Sequence, residues 1–260
     1  MSRWLVTAIP AWLLLVGLVI VVAGGAVLAQ TVIRRRLPGL AAGDHNDVTK
    51  FTYGFIGFIY AFFIGFVVSS MWGQTNSADA NARAEGAVGV QMARAADVFD
   101  AADRGRIRAS LLAYESAAIA EWPTAQVPSP SADAALAALY GTYRQVLAST
   151  DVQKAVLATS TSNLDQISQA RTIRVLTARE DTGPPWPIWA VIFLSSAMVL
   201  GTVVIYGVER AAQHYPMVAI VGVIVAANFF LILSLSHPFV GAVATSSDPL
   251  SEVVSVLSRG

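Results

Sequence analysis

Apolar and polar positions along this chain are segregated: two long apolar runs, a polar middle of about 110 residues, then two further apolar runs. The runs extend from Trp4 to Ala29, Phe51 to Trp72, Trp186 to Gly207 and Pro216 to Ser236, and none contains Asp, Glu, Lys or Arg. Each is close to the ~20 residues that carry a helix across a ~30 Å hydrocarbon core. The pattern predicts an all-α integral membrane protein with four transmembrane helices in a 2+2 arrangement and a helical bundle between the pairs. The expected segments are span one within 1–29, a loop at 30–50, span two at 51–73, the bundle at 74–185, span three at 186–207, a turn at 208–215, span four at 216–237 and a terminal segment at 238–260.

Within the polar middle the spacing is helical and strand signals are few. An Ala-rich helix is expected from Ala80 to Phe99, then a second with Asp103 as its cap and Ile107, Leu111, Tyr114 and Ile119 on one face. Trp122-Pro123 stops it, and Pro128 and Pro130 mark a loop. Ser131 or Asp133 is the expected cap of a third helix reaching Ser149. A fourth runs from Asp151 to Arg179 with Val152, Val156, Leu164, Ile167, Ile173 and Leu176 along it. Short connections favour an antiparallel bundle continuous with spans two and three. At the end of the chain, Asp248 and Pro249 open a short helix whose Leu250, Val253, Val254 and Leu257 form an i, i+3, i+4, i+7 stripe. That stripe suits the membrane interface or a neighbouring subunit.

Charge sets the orientation. Arg34, Arg35, Arg36 and Lys50 fall in a short loop, where positive charge marks the cytoplasmic side. Arg210 agrees, and both termini and the middle are then extracytoplasmic. Arg171, Arg174 and Arg179 run the other way, but long domains cross largely regardless of charge. The amino terminus has some features of a secretory signal. Its apolar run is too long for one, and the arginine triplet acts as a stop-transfer, so an uncleaved first span is expected.

Composition narrows the chemistry. Lys plus Arg equals Asp plus Glu at 17 each, so there is no basic field for nucleic acid. Cysteine is absent, and His45, His214 and His237 lie in separate segments without ligand spacing. No metal, cofactor or catalytic site is expected, and no nucleophile elbow, P-loop or dinucleotide fingerprint occurs.

Span two is the most patterned. Gly54, Gly57, Ala61 and Gly65 share one stripe, and small residues so spaced allow close helix packing in lipid. Phe51, Phe55, Phe58, Phe62 and Phe66 occupy the adjacent stripe. Two readings stand for them: contact with lipid or a neighbouring helix, or the lining of a hydrophobic constriction in a ring of subunits. Tyr53 and Tyr60 lie on the other flank. Asn228 in span four is either an interhelical hydrogen-bonding group or part of an ion path. With no ionisable group in any span, a self-contained proton relay is disfavoured. Arg171 and Arg174 share the face of Leu164 and Ile167. They read either as ion pairs with Glu121 or Glu85, or as an anion-attracting vestibule.

Several motifs together resemble the bestrophin-like family of bacterial four-span membrane proteins. They are His45-Asn46-Asp47, Tyr60 with Gly65-Phe66 and Trp72, Glu85, Tyr114, Glu121-Trp122-Pro123, Arg171 with Arg174, Pro185 with Ile188-Trp189, and Pro238-Phe239 with Gly241. The resemblance implies a bacterial inner-membrane location and a homo-oligomer in the lipid bilayer. Bestrophins are pentameric anion channels whose second helix lines the pore with apolar and aromatic side chains, a character that span two shares. Their large domain is cytoplasmic, whereas the arginine triplet places this one outside. The acidic calcium clasp of animal bestrophins has no counterpart here. The expected function is an oligomeric ion channel or pore, with anions as the permeant species. The alternative is a structural or accessory subunit of a larger membrane complex that docks through its bundle. A third reading, an outward-facing ligand sensor, meets the objection that the cytoplasmic segments are short.

Overall fold

The computed structural model describes residues 2–37, 46–122, 128–179, 183–206 and 211–259. The described residues are helical without strands: α1 (Ser2–Ala8), α2 (Ala11–Arg36), α3 (Asn46–Ala95), a 3-10 turn (Ala96–Val98), α4 (Ala101–Glu121), α5 (Pro130–Arg144), α6 (Asp151–Arg179), α7 (Trp186–Ile205), α8 (Ala211–Leu235) and α9 (Asp248–Arg259). They fall into two compact units. The first comprises residues 1–73, 183–237 and 241–243, the second residues 74–182, 238–240 and 244–260.

Four helices of the described residues, Ala11–Arg36, Phe51–Val98, Trp186–Ile205 and Ala212–Leu235, are long and apolar enough to cross a membrane. Their boundaries differ from the expected ones for local reasons. The first apolar run is broken at Pro10, which lacks the N–H a continuing helix needs; Leu14 N–H instead bonds the Pro10 carbonyl as α2 begins. The span therefore shifts from residues 4–29 to Ala11–Arg36, bringing Gln30 inside it. Pro185 caps α7, and Trp186-Pro187 forms its first turn, where a missing N–H is harmless. This separates α6 from α7, so the expected continuity with span three is not found; α3, by contrast, is unbroken from Asn46 to Ala95. Span four starts at Ala211 rather than Pro216, which sits within the helix. His45, Pro123, Gly207 and Arg210 lie outside the described residues.

In the first unit α2 packs chiefly on α8 and also touches α7 and α1. Gly222 of α8 makes the closest seat: a Cβ there would stand 2.6 Å from Ala23 Cα of α2. Tyr60, Ile64, Val67 and Met71 of α3 join Ile192 and Val199 of α7 and Val225, Phe229 and Ile232 of α8 in one apolar cluster. Beyond α8 the chain turns at Gly241, whose φ of +99° is left-handed backbone that suits glycine; a Cβ there would collide with Val6.

The second unit gathers the later turns of α3, α4, α5, α6 and α9 around Met92, Ile107, Leu111, Tyr114, Leu139 and Ile167, all fully buried. The cap of α4 is Asp100, three residues before the expected Asp103: its side chain accepts the Asp103 N–H at 2.8 Å. Asp103 is instead buried in the first turn, paired with Arg106. Helix α5 starts at Pro130 behind Ser129, not at Ser131 or Asp133, and ends at Arg144 rather than Ser149. The terminal helix corrects the expectation most. Leu250, Val253 and Leu257 of α9 are buried in the unit's own core, so the stripe covers neither membrane nor neighbour.

Candidate functional site

Each unit holds one group of side chains whose arrangement exceeds what packing needs. In the first unit, the turns of α3 from Phe51 onward present two faces. Tyr60 and Ile64 turn into the cluster, while Phe51, Phe55, Phe58, Phe62 and Phe66 stay outside the chain's own packing, 59–79% exposed. Between the two faces run Gly54, Gly57, Ala61 and Gly65. A Cβ added to any of the three glycines meets nothing within 4 Å, so inside one chain this small face seats no helix. Gly57, Ala61 and Gly65 instead border a groove of about 390 Å³, closed on the other side by residues of α7 and α8 that include Asn228.

The groove is mostly apolar, and its polar side chains are Tyr53, Tyr60 and Asn228. Asn228 Nδ2 donates to the Tyr60 hydroxyl at 3.3 Å, and Ser196 Oγ approaches the same oxygen at 3.5 Å. Asn228 thus bonds across helices. It is not alone as a strongly polar group in the spans: Gln30 of α2 is fully buried, and neither amide atom has a partner. One turn on, Arg34 donates to His214 Nδ1 at 3.3 Å. Because a guanidinium only donates, the ring proton sits on Nε2, which donates to the Val203 carbonyl at 3.0 Å near the end of α7. Three helices are tied at that end. A span that starts at Trp4 ends at Ala29 and leaves Gln30 out; the break at Pro10 brings it in.

The second unit contains a buried ion network. Arg174 of α6 is inaccessible to solvent and reaches Glu85 of α3 through Nε and Nη2, both at 3.2 Å, and Glu121 of α4 through Nη1 at 3.3 Å. Arg171, one turn earlier, grips Glu121 through Nη2 at 2.7 Å and Nε at 3.1 Å, and Asp133 of α5 through Nη1 at 2.7 Å. The Tyr114 hydroxyl donates to Glu85 at 2.9 Å, and the Ser129 N–H to Glu121 at 2.7 Å. The Trp122 ring lies 4.8 Å from the Arg174 guanidinium carbon, a cation–π distance, and its indole N–H donates to the Thr245 carbonyl.

All four residues that the spacing singled out, Arg171, Arg174, Glu121 and Glu85, meet here. Their donors point at carboxylates. Burial pushes the Glu121 carboxyl up, but the Arg171 and Ser129 hydrogen bonds and the two positive charges bring it below the usual carboxylate range. Burial lowers both guanidiniums, and their carboxylate partners more than reverse this. Tyr114 is raised well above its ordinary value by burial first and then by Glu85.

Two participants were missed. Asp133 is expected as a helix cap and instead pairs with Arg171, and Glu115 carries no expectation from the sequence. Glu115 is fully buried with both oxygens unpartnered; burial, then the charge of Glu85, raise its carboxyl well above the usual range against the pull of Arg174. The signal was present, since residue 115 is four after Leu111 and three before Ala118, on the apolar face. Among the described residues no group of His, Asp or Glu has the arrangement of a metal site.

Membrane-crossing helices joined to a helical second unit define an all-α integral membrane protein. The Bestrophin-like domain matches residues 20–250, and the chain belongs to the bestrophin-like family. Two crystal structures of a bacterial bestrophin homologue from Klebsiella pneumoniae, each with one point mutation, share this fold. One has 13% identity and a TM-score of 0.62, covering 95% of this chain and 99% of that one. The other has 15% identity and a TM-score of 0.63, covering 96% and 98%. A further membrane-protein crystal structure matches with a TM-score of 0.57 at 15% identity, covering 94% and 95%. No curated protein matches the sequence.

Proposed function

We propose that the protein is an oligomeric anion channel in which α3 lines the conduction path and Phe51, Phe55, Phe58, Phe62 and Phe66 form an apolar constriction. The observation that carries this reading is the exposed phenylalanine face on a span without charge. An apolar ring disfavours continuous water and lets ions through only when it widens or wets. Gly54, Gly57, Ala61 and Gly65 lie beside that face, where neighbouring subunits come close in a ring. The family supports the assignment, since bestrophins conduct anions. Reconstituted in proteoliposomes, the protein is expected to pass chloride above the level of empty vesicles. Truncating the constriction by Phe58→Ala with Phe62→Ala raises the flux about tenfold, the change that follows from lowering a barrier by ~1.4 kcal/mol. Flux equal to that of empty vesicles, unmoved by the double substitution, rejects the proposal.

Lys and Arg near the span ends support an orientation with both termini and the second unit extracytoplasmic in the bacterial inner membrane. In the sequence Arg34, Arg35, Arg36 and Lys50 fall between spans one and two, and Arg210 between spans three and four. The chain has no cysteine, so a single introduced thiol reports cleanly. Ser131→Cys, at an exposed position of α5, is expected to react with an impermeant thiol reagent in spheroplasts. Labelling only after lysis reverses the orientation.

A further inference from the structure

In the second unit two buried guanidiniums and two buried carboxylates satisfy one another, and a third buried carboxylate is left over. Glu115 has no exposed surface and no hydrogen-bond partner on either oxygen. Its carboxyl ends where α3, α4 and α9 meet. A Cβ on Gly89 of α3 would stand 2.7 Å from Glu115 Oε1 and 2.8 Å from Val253 Cγ2 of α9, so glycine at this position makes room for both. One turn earlier, a Cβ on Gly86 would collide with the Pro249 carbonyl. Helix α9 is thus seated on two glycines of α3, with Leu250, Val253 and Leu257 in the core and Arg108 Nη2 donating to the carbonyls of Val256 and Leu257.

The charged groups around Glu115 are few. From α3, Glu85 opposes its ionisation; from α6, Arg174 favours it but is already engaged by Glu85 and Glu121. On α4 itself, the Tyr114 hydroxyl donates its hydrogen bond to Glu85, and Glu121 is held by Arg171. Asp133 of α5 is taken by Arg171, and Asp97 of the 3-10 turn lies 3.6 Å from Arg108. Asp248, Glu252 and Arg259 of α9 are exposed, and the helix shows Glu115 its apolar side. These charged groups are engaged elsewhere, and a carboxylate ion in such surroundings needs a donor or a counter-charge.

We infer that Glu115 is a proton-binding site that latches the terminal helix: loaded, it lets α9 close over α3 and α4, and emptied, it places an uncompensated carboxylate beneath Val253 and releases α9. The sign follows from the raised carboxyl. Its contribution is intact below the ordinary glutamate value of ~4.3 and is lost as pH climbs toward the higher value in the folded protein.

The test is amide hydrogen exchange on the full-length protein in detergent, resolved by segment and corrected for intrinsic rates, at about pH 6 and about pH 9. Residues 248–259 are expected to exchange about tenfold faster at the higher pH, with α5 unchanged, and Glu115→Gln, neutral throughout, abolishes the difference. Equal exchange at both pH values, or an acceleration that survives Glu115→Gln, overturns the inference. If that variant does not fold, the wild-type infrared spectrum decides. The C=O stretch of a protonated buried carboxyl must be present at about pH 6 and vanish as α9 opens, and its absence at the lower pH refutes the site.

Discussion

Replacing Arg174 by methionine is expected to destabilise the second unit by about 3–5 kcal/mol, the cost of breaking a buried ion pair from one side. Methionine restores most of the stem but none of the donors. Glu85 loses both guanidinium bonds and keeps only the Tyr114 hydroxyl, while Glu121 retains Arg171 and the Ser129 N–H. The damage therefore falls on Glu85, an inaccessible carboxylate. The Trp122 ring also loses the cation that it covers. Adding Glu85→Met to Arg174→Met removes the stranded charge and is expected to recover about half of the loss, since a buried pair exchanged for apolar groups is often neutral. Denaturant or thermal unfolding of the detergent-solubilised protein measures both. A loss below about 1 kcal/mol for the single variant would place this pair in the class of surface bridges, against its burial.

The second large effect concerns the first unit. Gly222→Leu is expected to abolish the native packing of α2 on α8, and Gly222→Ala to cost about 1–3 kcal/mol, the range for overfilling a packed site. The obstacle is backbone: the new Cβ would meet Ala23 Cα at 2.6 Å and Ala23 Cβ at 2.9 Å, and a helix axis cannot rotate away as a side chain can. Gly17 of α2 is the control. It is exposed, with no atom within 4 Å of an added Cβ, so Gly17→Ala should be neutral or stabilise the helix by up to ~1 kcal/mol. Thermal unfolding in detergent separates the two, and equal responses at both positions would contradict the close approach.

Much of this was legible in the residue order, and what was lost has definable causes. Spans declare themselves because a bilayer demands uninterrupted apolar length, but one proline barely lowers the mean hydropathy of a long apolar run. Pro10 therefore hid the start of α2 and, with it, Gln30. Arg171 and Arg174 could be matched with Glu85 and Glu121 because paired charges on apolar faces need counter-charges. Glu115 could not, since it is buried without one, and pattern reading expects an isolated glutamate to find water. Leu250, Val253 and Leu257 do share one buried face of α9. Amphipathicity reports that a face will be covered, never by what, and the core left open by α3 and α4 covers it here. Asp100 outcompeted Asp103 as a cap because the break at Phe99 placed the helix start three residues earlier.

The seam between α2 and α8 carries a consequence for biogenesis. Among the described residues these are the first and last helices long and apolar enough to cross a membrane, separated by the residues between Arg36 and Ala211. At ~5–20 residues per second of synthesis, roughly 9–35 s pass before α8 leaves the ribosome. For that interval the nascent α2 has no Gly222 to seat Ala23 and no His214 to meet Arg34. Of the two, α2 is thus made early and completed late, and insertion factors that shelter it have a definite face to hold, the line from Ala23 through Gln30 to Arg34.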